Sequence, residues 1–133
     1  MTAQNRTERT RKLALSPHTH RGSEVVTRFE HTLTLKADTT PTHITLAFIA
    51  DRDVPKPGAI EAYLDDLKTL EWQSLEALCA TLVEDITDTL VPLLVFAEAT
   101  KPASNSKAYQ STFLLKTQPN YSPSPFIEGL LRP

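Results

Sequence analysis

Residues 74–100, SLEALCATLVEDITDTLVPLLVFAEAT, decide how the rest of the chain is read. Leu75, Leu78, Leu82, Ile86 and Leu90 recur at the three- and four-residue spacing that puts side chains on one face of an α-helix. Glu76, Glu84, Asp85 and Asp88 fall off that stripe. Ser74 suits the amino-terminal cap, because a serine oxygen accepts from a backbone N–H of the first turn. Pro92 cannot continue the helix, and the apolar run after it reads as a strand partly buried on both faces. The stretch is one helix turning directly into one strand, with Glu76 in the first turn.

Upstream, VVTRFEHTLTLK over residues 25–36 alternates, with Phe29, His31, Leu33 and Leu35 facing one way and Glu30, Thr32, Thr34 and Lys36 the other. Ala37–Pro41 supplies turn residues, and THITLAFI repeats the alternation through Ile44, Leu46 and Phe48, which makes a hairpin. Threonine-rich outer positions predict a sheet covered on one face only. Asp51–Gly58, with two prolines and a glycine, reads as a loop. AIEAYLDDLKTL then places Ile60, Tyr63, Leu64 and Leu67 on one face of a short helix. The connection Thr69–Gln73 is brief, so the two helices are expected side by side and antiparallel, with Trp72 packed against them.

Downstream, Lys101–Lys107 reads as a polar turn and AYQSTFLLK as a fourth strand. The resulting class is α+β with the order ββααββ: a four-stranded antiparallel sheet with two antiparallel helices on one face. Such a sheet has two open edges, and joining subunits edge to edge into a barrel removes them, so a homo-oligomer is expected. The expected organisation is an arm or tail over residues 1–22, a folded domain over 23–117, and a proline-rich tail over 118–133. The arm holds Arg6, Arg9, Arg11, Lys12 and Arg21 against the single acid Glu8, and its plainest reading is a solvated end. The tail has four prolines and an apolar cluster of Phe126, Ile127, Leu130 and Leu131 suited to docking on a neighbouring subunit.

Composition narrows the function classes. A formal charge of -2 gives no nucleic-acid-like electrostatic footprint. No apolar run approaches the roughly 20 residues that span a bilayer, and no secretory signal is seen, so a soluble cytoplasmic protein is expected. Cys79 is the only cysteine, which excludes an internal disulfide and a multi-thiolate zinc site within one chain. It falls on the core-facing side of the helix, where a thiol is ordinarily inert packing. His18 and His20 form a short pair without a completing ligand, and no metal is expected.

Over residues 25–116 the element order, with Glu76 at the start of the second helix, resembles the tunnelling-fold superfamily of GTP cyclohydrolase I, 7-cyano-7-deazaguanine reductase, dihydroneopterin aldolase and pyruvoyl-tetrahydropterin synthase. The resemblance implies a ring of subunits in which Glu76 holds the edge of a pterin or guanine-like ring between subunits through paired, charge-assisted hydrogen bonds. AFIADRDV, FAEAT, NSKAYQSTFLL and FEHT resemble segments of GTP cyclohydrolase I. Phe29 and Thr32, however, stand where that family places a cysteine and a histidine that hold zinc, and the segment for its second cysteine is shortened to KPAS. The nitrile reductase resembles the same block, with Glu76, Asp85 and Pro92 at similar positions, but no thiol stands between the first two strands to attack a nitrile. NADPH would be implied only for a reductase. SLEALC and Lys101-Pro102 resemble dihydroneopterin aldolase, which makes Lys101 a candidate proton relay, and the Glu-His part of FEHT makes His31 a candidate acid or base. The expectation is therefore an oligomeric heterocycle binder without the zinc or cysteine chemistry. The alternatives are an aldolase-like pterin enzyme using Lys101, and a non-catalytic structural subunit or partner of a catalytic paralogue.

Overall fold

The computed structural model describes residues 10–19, 25–35, 41–70, 72, 74–102, 109–125, 127 and 129, with only the backbone for 102 and 109–114. Residues 37–40 and 103–107 of the expected turns lie outside this set, as do Arg6, Glu8, Arg9, His20, Arg21, Phe126, Leu130 and Leu131. Among the described residues six strands and two helices of eight residues or more follow one another: β1 (Leu15–Pro17), β2 (Val26–Leu33), β3 (Thr42–Ile49), β4 (Asp53–Pro55), α1 (Ala59–Leu67), α2 (Leu75–Leu90), β5 (Leu94–Pro102) and β6 (Tyr109–Thr117). The chain is α+β, with an antiparallel four-stranded sheet in the order β2-β3-β5-β6 and a two-stranded sheet of β1 and β4.

The helix stripe forms as its spacing requires. Leu75, Leu78, Leu82, Ile86 and Leu90 are buried, and Ser74 caps α2 by accepting from the Ala77 N–H at 3.0 Å. Ahead of Pro92, Val91 ends the helix in the left-handed region at φ 49°. Gly58 at φ 82° starts α1, a backbone angle that costs glycine little and a side-chain-bearing residue more. Ile60, Tyr63, Leu64 and Leu67 of α1 join the α2 stripe against Ile44, Leu46, Phe48, Val95, Ala97 and Ala99, so both helices cover the same face of the sheet. Each fully buried leucine or isoleucine there is worth about 1.5–3 kcal/mol of burial. Trp72 packs on this core and donates its indole N–H to the Leu67 carbonyl at 2.8 Å.

Four details depart from the sequence reading. Asp85 is 1% exposed, because the Tyr63 hydroxyl on α1 donates to its carboxylate across the helix pair. The Asp51–Gly58 segment contains β4, and β1 pairs with it, so the basic arm is pinned from Thr10 to His18 rather than free. Leu13 enters the main core, and Lys12 reaches Asp66 of α1 at 2.8 Å. β5 continues through Pro102, which makes Lys101 a strand residue opposite Gln110. Finally, the sheet is not bare on the face away from the helices: Ala47, Ile49, Leu94 and Phe96 are buried there beneath Ile127, with Tyr121 beside them. The tail thus docks on its own sheet. It reaches that face because the Gln118 N–H bonds to the Leu93 carbonyl, and its side-chain amide to the Val91 carbonyl, just past the end of β6.

Candidate functional site

Glu76 is exposed in the first turn of α2, between the buried anchors Leu75 and Leu78. Its backbone is therefore held by packing and by the Ser74 cap, while its carboxylate is left in solvent at the positive end of the helix. One turn further on, the Cys79 thiol meets the Ala99 backbone of β5. Because α2 and β5 run in opposite directions, the first turn of α2 lies over the Ala99–Pro102 end of β5. Glu76 and Lys101 belong to that end of the molecule.

His31 is half-buried on β2 and stands 3.7 Å from Asp65 of α1, which Lys68 also approaches at 3.8 Å. Ile44 pairs with His31 on one side and Ala99 on the other, so the three form one row across the sheet. Two strand spacings separate His31 from Ala99 by about 10 Å, and Lys101 lies about 7 Å further along β5. Within one chain His31 and Lys101 are not brought together. Lys101 is half-buried and is already engaged by a neighbour.

Cys79 is 1% exposed, and burial pushes its thiol up to about 11; the Ala99 backbone hydrogen bond opposes this and the Glu98 charge adds to it. It is a packed thiol, as its place on the apolar stripe implies, and not a nucleophile at neutral pH.

A polar group that the sequence reading did not single out lies on the sheet face away from the helices. His43 stands directly opposite Thr32, with its Nδ1 3.3 Å from the Thr32 hydroxyl and its Nε2 3.1 Å from the Glu30 carboxylate. All three side chains are exposed. The signal was the pairing of two alternating strands, which sets Thr32 against His43 once the register is known. Glu98 and Thr100 on β5 continue this polar half of the face.

Two concave surfaces among the described residues lie elsewhere. A groove of about 190 Å³ is lined by Thr87, Val91, Pro92 and Lys116, and a wider one by Asp51, Arg52, Leu90 and Gln118. Both sit at the carboxyl end of α2, about 22 Å along the helix from Glu76. Among the described residues no cluster of three or more His, Cys, Asp or Glu side chains could hold a metal ion. No helix among them is long and apolar enough to cross a membrane. Neither the protein-family models nor the curated proteins contain a match to the chain. The α+β architecture and the chemistry of its exposed side chains therefore carry the functional argument.

Proposed function

We propose that the chain is one subunit of a tunnelling-fold barrel that binds a pterin or a guanine- or deazaguanine-like heterocycle, with Glu76 as the group that holds the ring. The observation carrying this reading is the position of Glu76: solvent-exposed, on a capped first turn fixed by Leu75 and Leu78, at the helix end that favours a carboxylate. A carboxylate so placed can accept two parallel hydrogen bonds from adjacent ring N–H groups. The second wall of the pocket comes from a neighbouring subunit, joined through the open edges of β2 and β6. The domain is residues 23–117, with Leu13–Pro17 of the arm and Gln118, Tyr121 and Ile127 of the tail docked on it, and the reading invokes neither zinc nor a cysteine nucleophile.

Titration calorimetry with neopterin, GTP and 7-cyano-7-deazaguanine tests it. At least one of them binds the wild-type protein, and Glu76→Gln loses that binding while the fold persists; absence of binding to the wild type overturns the proposal. A second reading rests on the shared end of Glu76 and Lys101, where a lysine beside a bound ring would relay protons in aldol chemistry of a pterin side chain. Turnover of dihydroneopterin that is unchanged in Lys101→Ala removes it.

A further inference from the structure

Three polar side chains on the sheet face away from the helices stand in a chemically ordered line. The two-residue period of a strand puts Glu30 and Thr32 on one face of β2 about 7 Å apart. The register sets His43 of β3 directly opposite Thr32 and diagonal to Glu30. The imidazole therefore lies between them, with Nδ1 3.3 Å from the Thr32 hydroxyl and Nε2 3.1 Å from the Glu30 carboxylate. A carboxylate can only accept, so it holds the proton of the neutral ring on Nε2. Nδ1 is left as an acceptor, and the Thr32 O–H donates to it. The resulting order is hydroxyl, imidazole, carboxylate, in which a base faces a nucleophile and an acid orients the base.

The geometry points to an acyl-transfer site at Thr32, with a small activated ester as its substrate. This goes beyond the heterocycle reading and does not depend on Glu76. Thr32 Oγ1 attacks the carbonyl carbon while its proton passes to His43 Nδ1; the bond to the leaving alcohol then breaks, and that oxygen takes the proton from the ring. Water resolves the acyl-threonine by the same route: it gives a proton to Nδ1 as it adds to the carbonyl, and the ring returns that proton to Thr32 Oγ1 as the acid departs. Glu30 is a positioning residue, which keeps Nδ1 turned towards Thr32 and offsets the charge of the imidazolium formed in each transfer. All three side chains are exposed, and the two grooves described above open at the carboxyl end of α2 instead. On so open a face water, rather than a set of enclosed donors, meets the developing oxyanion, which restricts the substrate to esters with a good leaving group.

Hydrolysis of p-nitrophenyl acetate by the full chain, with peptide mapping of the acid-quenched protein by mass spectrometry, tests the inference. The exposure of the three residues lets each be replaced without disturbing the core, and circular dichroism verifies the fold of every variant. The wild type is expected to release nitrophenolate and to carry an acetyl group on Thr32 during turnover. Thr32→Val and His43→Ala should each lower the rate by at least about tenfold, a threshold set below the usual ~10²-fold contribution of a positioned base. Thr32→Ser, which restores the hydroxyl, should keep the activity, and Glu30→Gln should lower kcat while leaving KM unchanged. Equal rates in the wild type, Thr32→Val and His43→Ala overturn the proposal. A loss in His43→Ala without acetyl on Thr32 overturns it as well, since the ring would then be the nucleophile, and an unchanged kcat in Glu30→Gln overturns the positioning role of Glu30. None of these outcomes bears on heterocycle binding, which Glu76→Gln tests separately.

Discussion

The Tyr63 hydroxyl donates a 2.5 Å hydrogen bond to the Asp85 carboxylate in the seam between α1 and α2, where both side chains are almost wholly removed from water. A buried carboxylate is costly to strip of a donor, because the oxygen it leaves behind has no water to turn to. Tyr63→Phe is therefore expected to destabilise the protein by about 1–3 kcal/mol, although it removes a single oxygen. Urea unfolding followed by circular dichroism checks this, and a change below the error of the extrapolation would count against the seam as a stabilising contact.

The amino-terminal arm makes two contacts of different kinds, and they should differ in weight. Leu13 is 3% exposed within the main core, whereas the Lys12 side chain that meets Asp66 is about half exposed. Leu13→Ala should cost about 2–5 kcal/mol, and Lys12→Ala no more than about 1 kcal/mol, since solvent screens the ion pair. The same unfolding measurement on the two variants decides it; an equal, small loss in both would mean that the arm is not docked in solution.

Val91 is a β-branched residue at φ 49° and is 55% exposed. That left-handed conformation is strained for valine and natural for glycine, which commonly ends helices. Val91→Gly should raise stability by about 1 kcal/mol, because the strain relieved exceeds the little burial lost. A rise in melting temperature is the expected readout, and a fall would show that valine's apolar surface matters more at this position.

Cys79 links stability to alkaline pH. Its thiol titrates near 9.0 when unperturbed and is pushed to about 11 by burial in the fold. Between these values the unfolded chain releases its proton while the folded chain keeps it, so the fold becomes less stable as pH rises. The loss begins near pH 9 and is complete near 11. Chemical denaturation across this range should show a steeper decline for the wild type than for Cys79→Ala; parallel declines would assign the effect to other groups.

What could be read from the residues was whatever repeats locally. The stripe from Leu75 to Leu90, the Ser74 cap and the alternation from Thr42 to Ile49 each encode their structure within a few turns or pleats, and each forms as expected. The burial of Asp85, which lies off the leucine stripe, has no local signal, because it depends on a donor, Tyr63, carried by a different helix. β1 and β4 escaped notice because three-residue strands are too short to display a period. The docking of Ile127 on the sheet depends on how the chain turns back at Gln118, a relationship between distant residues that no local pattern records. For the candidate site, the local part was again readable: the exposed turn bearing Glu76 follows from cap and stripe, whereas the Glu30–Thr32–His43 group needed the register of two strands.

The strand order has a bearing on how the molecule comes to be folded. β2 with β3 and β5 with β6 are sequence neighbours, but the central pairing of β3 with β5 joins residues from opposite sides of the whole helix pair. Each outer pairing can form as a local event, while the central one must first close the intervening chain against its entropy. The collapse of α1 onto α2 shortens that span, so the helix seam does more than cover a finished sheet: it lowers the entropic cost of bringing the two halves of the sheet together.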